Sequence, residues 1–506
     1  MERKKNILEY LEATVARLPD KTAFSNAKDS ISFGELYGAS RSIGAHLASL
    51  GLYREAVAVF MDKHPKAMAA FFGVIYSGCF YVCIDSAMPE DRVRLILENV
   101  SARAAIADAK NLAKASKFGI EHLICYDEIA DKAADDKMLS EIRKKQIDTD
   151  AIYVVFTSGS TGVPKGVVAC HRSVIDYTDS LCEALGFSED TVFGNQTPLY
   201  FDAPLKEIMP TLKLGATTYF IPKSLFSFPV KLVEYLNVNK INTICWVVSA
   251  LVQISTLGAF DVCRPEHLTT VAFGSEVFPK KDYKLWRDNL PEARFFNLYG
   301  PTEATGMSCF WRAERELSDE EPIPIGEPFD NTDIILIDEN GQRAEPLCDG
   351  EICIRGTCLT MGYYNNPEKT SEAFIQNPLN KSYPELIYRT GDIGRYNEHG
   401  ELVFVTRRDS QIKHMGHRIE LGEIESAALL CDDIKRACCI YDSDKKRIVL
   451  FFVGNIETDA LQKHLLQKLP RYMIPAECIK LDRLPLTDNG KIDRRGLREL
   501  ACRTDN

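Results

Sequence analysis

The chain has 506 residues, a net charge of −11, 45% apolar residues and 26% charged ones, the balance of a globular protein with two or three units and a sizeable core. The acidic excess argues against non-specific nucleic-acid binding and against an anionic membrane surface, although a local positive cluster can still hold a phosphate. No apolar stretch is long enough to span a bilayer, and Met1-Glu2-Arg3-Lys4-Lys5-Asn6 leads into an amphipathic pattern instead of a signal core.

Ile7, Leu8, Leu11, Val15 and Leu18 fall at helical spacing, and Pro19-Asp20 ends that helix. Ile31 to Leu36 opens a strand-to-helix unit, Glu55 to Met61 reads as a strand, and Ala67 to Tyr76 as a helix of small residues. Gly78 to Asp85 is strand-like and Pro89 to Val100 helical, while Ala102 to Ala107 and Leu123 to Tyr126 read as two more strands. Strands alternating with helices predict an α/β fold with much parallel sheet. Asp127 to Asp150 carries both charge signs and reads as a solvated helix and linker. The 16 cysteines, many in apolar runs such as Ile244-Cys245-Trp246, include no Cys-x-x-Cys pair. That usage suits reduced thiols in a cytoplasmic protein and does not suggest zinc.

The stretch with most chemical content is Ile152 to Val167. A β-branched apolar run empties into Thr157, Ser158, Gly159, Ser160, Thr161 and Gly162, closed by Pro164, Lys165 and Gly166. Glycines let backbone N–H groups turn toward an anion, hydroxyls donate further hydrogen bonds, and the lysine adds full charge. The loop is suited to a polyphosphate, with a flexible turn as the plainer reading. It is not a Walker loop, because no Gly-Lys-Ser/Thr follows at the required spacing.

Further on, Asp202 precedes an expected helix from Ala203 onward, which on its own reads as an N-cap. Lys206 shares that helix face, as an i, i+4 partner of Asp202, an exposed side chain, or a lysine in a substrate pocket. Strands are expected around Ile244 to Val248, in Thr269 to Val277 and in Arg294 to Leu298. The last runs into Tyr299-Gly300-Pro301-Thr302-Glu303-Ala304-Thr305, followed by the β-rich stretch that contains Gly350-Glu351-Ile352 and Tyr388-Arg389-Thr390-Gly391-Asp392. Near the C-terminal end, Asn489-Gly490 marks a tight turn that projects Lys491 outward. His414 and His417 have no third ligand in view and read as surface residues.

Taken together, the strings Thr157 to Val167, Tyr299 to Thr305, Tyr388 to Asp392 and Leu484 to Asp493 resemble the motifs of the adenylate-forming enzymes, which include acyl-CoA ligases, luciferases and nonribosomal-peptide adenylation domains. The resemblance covers essentially the whole chain. It implies a large N-terminal domain over 1–408, built of mixed and parallel sheets with helices and a β-rich subregion. A small mobile α+β domain over 409–506 would carry the catalytic residue Lys491 and turn about the hinge Asp409. It also implies ATP and Mg²⁺. The loop residues Thr157 to Gly162 and Lys165 would hold phosphate, Tyr299 would stack on adenine, and Thr302 would meet phosphate. Glu303 would ligate Mg²⁺, Asp392 would bind the ribose hydroxyls, and Arg407 would contact ribose or phosphate. Asp202 would grip a substrate α-ammonium, with Ala203, Lys206, Gly274, Leu298 and Gly306 around it. Lys413 to Ile419 resembles the segment lining the pantetheine tunnel.

These roles make chemical sense. A substrate carboxylate is already anionic and needs relief of repulsion, not a general base, to approach an α-phosphate. Acids without an amino group would leave Asp202 unused, so an amino-acid substrate is expected and an acyl-CoA ligase is the alternative. Few residues follow Lys491, so the expected acceptor is a phosphopantetheinyl carrier protein in trans. The subfamily most similar in layout is the D-alanine–carrier protein ligase, which tends to have cysteine where this chain has Gly274. Lys206 is also foreign to a pocket for a methyl side chain, so the expected substrate is D-alanine or another small or polar amino acid.

Overall fold

The computed structural model describes residues 4–159, 163–318, 320–408, 411–485 and 492–503. The chain packs as two compact units, one made of residues 1–86, 100–155 and 167–408, the other of 87–99, 156–166 and 409–506.

In the first unit, the alternating pattern produces parallel sheets, as its sequence predicts. A six-stranded sheet runs His122–Cys125, Ala104–Ala107, Ala56–Phe60, Phe80–Ile84, Ala151–Thr157 and Lys165–Cys170. Ala56–Phe60 is buried at every position, which is the mark of a strand covered on both faces. A nine-stranded sheet has Arg294–Tyr299, Thr270–Gly274, Thr243–Val247, Val192–Asn195 and Thr217–Phe220 as successive parallel neighbours. Next to Arg294–Tyr299 the antiparallel strand Cys309–Arg312 pairs Phe310 with Leu298, and Glu327–Pro328 forms the edge beyond it. The β-rich subregion is a five-stranded antiparallel sheet in which Leu386–Tyr396 pairs with Gly350–Gly356 and Leu402–Arg407.

Local chemistry explains the element ends. The helix Phe33–Ser49 starts in a capping box, in which the Ser32 hydroxyl accepts from the Glu35 N–H at 3.2 Å and the Glu35 carboxylate accepts from the Ser32 N–H at 2.7 Å. Two expectations shift. Tyr126 starts a short helix, Tyr126–Ile129, after the strand His122–Cys125. The helix expected from Ala203 is Leu205–Leu214, with Pro204 at its N-cap and no side-chain cap. Asp202 is therefore not a cap.

The second unit contains the helix Glu90–Val100 for most of its length, a hairpin of Gln411–His414 with His417–Glu420, and a three-stranded sheet of Ile434–Asp442, Arg447–Gly454 and Glu477–Lys480. Ile424, Ala428, Leu450, Phe452, Leu461 and Leu465 form its core. His414 and His417 are half-buried instead of plain surface residues. His417 stacks on Tyr472 at 3.9 Å and His414 meets Tyr441 edge-on at 5.6 Å.

Candidate functional site

In the first unit, parallel strands end in Gly274, Leu298 and Tyr299, the antiparallel β-rich subregion carries Asp392 and Arg407, and the segment that begins the helix Leu205–Leu214 carries Asp202, Ala203 and Lys206. Arg294–Tyr299 delivers Leu298 and Tyr299, and the turn after it carries Thr302 and Glu303 in a short 3₁₀ helix. The Tyr299 hydroxyl donates to Asp392 Oδ2 at 2.6 Å, and Arg407 pairs with Asp392 Oδ1. Burial and the adjacent carboxylate push the Tyr299 hydroxyl far above its usual range, so it stays a donor. Asp392 also receives order from Thr390, whose hydroxyl accepts from the Asp392 N–H at 3.0 Å. Tyr299 lies in a core cluster with Ala304, Cys309 and Ile325 and is 4% exposed. Its hydroxyl anchors the Asp392 motif.

Glu303 is fully buried, and one of its oxygens accepts from the Tyr363 hydroxyl at 2.7 Å. Among the described residues there is no group of three metal-ligating side chains. A single desolvated carboxylate suits a hard cation held mainly by phosphates and water, which is how Mg²⁺ is usually bound. Glu303 thus fits the metal role in kind.

Asp202 is partly buried on the segment leading into Leu205–Leu214. Burial raises its carboxyl above the usual range, while the Thr302 hydroxyl and the Lys206 charge pull the other way. A Cβ on Gly306 would lie 3.9 Å from Asp202 Oδ2 and 3.7 Å from the Tyr177 hydroxyl, in ordinary van der Waals contact with both. Lys206 is 5% exposed, which excludes the plain surface reading. Beside it, Glu207 accepts from Asn195 Nδ2 at 3.2 Å, and the Lys63 ammonium donates to the carbonyls of Asn195 and Gln196 at 3.3 and 3.0 Å. Ala203 is half-buried at the start of the same segment. Gly274 is the register partner of Leu298, and a Cβ there would sit 2.3 Å from the Leu298 carbonyl oxygen. The strand pair has room only for glycine.

The second unit holds the start of the loop expected to bind phosphate. A Cβ on Gly159 would lie 2.1 Å from the Val163 carbonyl oxygen, so the chain can close there only with glycine. The Gly159 N–H donates to Glu423 at 3.1 Å, and the Ser158 hydroxyl donates to the Arg418 carbonyl at 3.0 Å while accepting from the Glu420 N–H. Thr157 ends the strand before the loop and Lys165 begins the strand after it. Ser160, Thr161, Gly162, Asp409 and Lys491 lie outside the described residues.

Residues 11–364 match the AMP-binding enzyme family model, and residues 423–491 match that of the AMP-binding enzyme C-terminal domain. The chain belongs to the AMP-binding enzyme family. Within it, the chain is 30% identical to tyrocidine synthase 1 of Brevibacillus parabrevis over 98% of its own length and 45% of that protein. It spans less than two thirds of the length of the first curated relatives it matches. It is also 30% identical to an L-proline–[L-prolyl-carrier protein] ligase of Streptomyces coelicolor, covering 96% of both chains. The adenylation domain AlmE of Vibrio cholerae, solved with glycyl-adenosine-5'-phosphate, shares the fold with a TM-score of 0.85 at 19% identity, covering 99% of this chain and 98% of that one.

In this AMP-binding enzyme, several side chains at the site escape a reading of the sequence. Tyr177 arrives from the helix His171–Leu185, and Tyr363 from the β-rich subregion. Lys63 comes from the loop after Ala56–Phe60. Each is an ordinary residue for its local pattern, and only tertiary folding gives it its place. Glu351, 5% exposed, pairs with Arg389 and Arg408 and accepts from the Gly391 N–H at 3.2 Å, fixing the segment that carries Asp392.

Proposed function

We propose that this chain uses ATP to activate an amino acid as its aminoacyl-adenylate and then passes the acyl group to the phosphopantetheine thiol of a separate carrier protein. In the first step a substrate carboxylate oxygen bonds to the α-phosphorus, and the bond to the bridging oxygen breaks, releasing pyrophosphate. In the second step the thiolate sulfur bonds to the acyl carbon and AMP leaves with the former bond pair. The observation that carries the reading is Asp202. It is a partly buried carboxylate that caps no helix and lies beside Gly306, which has no side chain to cover it. A desolvated ammonium requires such a partner, and a fatty or aromatic acid would leave it unpaired. The similarity to a carrier-protein ligase supports the same assignment.

The other residues divide the work by charge. Glu303 would hold Mg²⁺, which when bound neutralises phosphate charge. Asp392, held by Tyr299 and Arg407, presents acceptor oxygens for the ribose diol. Thr157 to Gly162, Lys165 and Thr302 would bind phosphate oxygens, and Lys491 would offset charge on the reacting carboxylate and phosphate. Turning about Asp409 would then withdraw Lys491 for the thiol step. The resulting ATP-dependent enzyme with reduced thiols suits the cytoplasm.

Amino-acid-dependent ATP–pyrophosphate exchange tests the proposal. Exchange is expected with an amino acid, and Asp202→Ala should abolish it. Lys491→Ala should still bind ATP, with adenylation lowered by orders of magnitude. Exchange only with a simple carboxylic acid, followed by thioester formation on coenzyme A, would replace this reading with an acyl-CoA ligase.

A further inference from the structure

We infer that Tyr363 is a positioning residue for metal binding: its hydroxyl orients the Glu303 carboxylate and makes the site prefer Mg²⁺ to Ca²⁺. This inference rests on the reading of Glu303 as the Mg²⁺ ligand and adds the residue that sets that ligand's orientation. The Tyr363 hydroxyl donates to Glu303 Oε1 at 2.7 Å, and both side chains are buried. The segment that carries Tyr363 also holds the Glu303 backbone. Thr360 donates to the Glu303 carbonyl twice, from its N–H at 3.0 Å and from its hydroxyl at 2.9 Å. Two bonds tie the same segment to Val168, whose carbonyl accepts from the Met361 N–H at 2.9 Å and whose N–H donates to the Gly362 carbonyl at 3.0 Å. The Tyr363 ring packs with Val167 and Tyr388 and meets Phe374 edge-on at 6.1 Å. The donor thus sits on a packed ring at the end of a pinned segment.

Two physical consequences follow for a metal ligand held in this way. A glutamate side chain is flexible, and the bond to Tyr363 removes that freedom on folding instead of on metal binding. Partners that orient a ligating group are typically worth about 10- to 100-fold in metal affinity. The bond also discriminates between ions. A carboxylate oxygen that already accepts a phenolic hydrogen is a weaker donor to a metal, which disfavours ligation by both oxygens of Glu303. Mg²⁺ demands near-ideal octahedral geometry and suits one carboxylate oxygen, whereas Ca²⁺ readily takes a carboxylate through both.

The test uses the full chain with a non-hydrolysable ATP analogue and Mn²⁺, whose binding is read by electron paramagnetic resonance, and with Mg²⁺ and Ca²⁺ titrated as competitors. Tyr363→Phe keeps the ring and removes the donor. The expected result is a Mn²⁺ affinity lowered about tenfold or more, a smaller preference for Mg²⁺ over Ca²⁺, and unchanged binding of the analogue in EDTA. Raising Mg²⁺ should restore pyrophosphate exchange. Glu303→Gln should weaken Mn²⁺ binding at least as far, and adding Tyr363→Phe to it should bring no further loss. An unchanged Mn²⁺ affinity or an unchanged ion preference in Tyr363→Phe, beside a loss in Glu303→Gln, would overturn the inference and leave Glu303 as the ligand. So would an equal loss of analogue binding in EDTA, the mark of a merely structural role. Mn²⁺ binding untouched by Glu303→Gln would instead remove the reading of Glu303, and this inference with it. Should Tyr363→Phe alone fail to fold, folding regained in the double variant would show that the hydroxyl serves the carboxylate, and failure of the double variant as well would overturn the inference.

Discussion

The Tyr299 hydroxyl donates to Asp392 at 2.6 Å and joins two motifs that lie 93 residues apart in sequence. Arg407 occupies the other carboxylate oxygen, so the three side chains form one buried unit. Tyr299→Phe keeps the ring and removes only the donor, which costs about 1.5–3 kcal/mol for a bond to a charged acceptor. The expected outcome is a KM for ATP raised about tenfold or more, with little change in the KM for the amino acid. Unchanged ATP kinetics would show that Asp392 does not depend on this bond.

Gly274 makes a separate prediction. Its Cβ position lies 2.3 Å from the Leu298 carbonyl, an atom of the partner strand that cannot swing aside. Gly274→Cys, the residue typical of the D-alanine subfamily, must push two central strands apart and should destabilise the protein by about 1–3 kcal/mol. Thermal unfolding and pyrophosphate exchange check it. A cysteine variant with wild-type melting and activity would mean that the two strands separate easily.

Much of the fold is legible in the sequence because parallel strands are buried on both faces and announce themselves as apolar runs, as at Ala56–Phe60. The strings around Tyr299 and Asp392 are legible for a different reason, since their chemistry lies in contiguous residues. Asp202 misleads locally, because an aspartate just before a helix usually caps it and here Pro204 intervenes. Lys63 and Tyr177 carry no local signal. Their neighbours in space come from segments far away in sequence, and neither periodicity nor turn chemistry reports such meetings.

His171 provides a pH prediction. It is buried, accepts from the Ile7 N–H at 3.2 Å, and is lowered from 6.5 to about 3, first by desolvation and then by the nearby Arg143. Between those values the unfolded chain holds a proton on His171 that the folded chain does not. Stability therefore rises with pH across that window, by up to about 1.4 kcal/mol per pH unit, and is lost on acidification. His171→Gln, which keeps a hydrogen-bonding side chain without the titration, should flatten that dependence. Melting curves between about pH 4 and 7 with equal slopes for both proteins would contradict it.

In the second unit, Arg92 donates to Glu423 Oε1 at 2.6 Å with the two side chains 5% and 1% exposed, while Glu423 Oε2 accepts from the Gly159 N–H. Burial raises the Glu423 carboxyl, and Arg92 opposes that rise. Removing one partner strands a buried charge, so Arg92→Met should cost about 3–5 kcal/mol. Adding Glu423→Gln removes the orphaned charge yet keeps an acceptor for the Gly159 N–H. The double variant should therefore melt well above Arg92→Met and near the wild type. Strictly additive losses in the two variants would mean that the pair contributes no coupling, and that Arg92 acts through packing of its aliphatic stem instead.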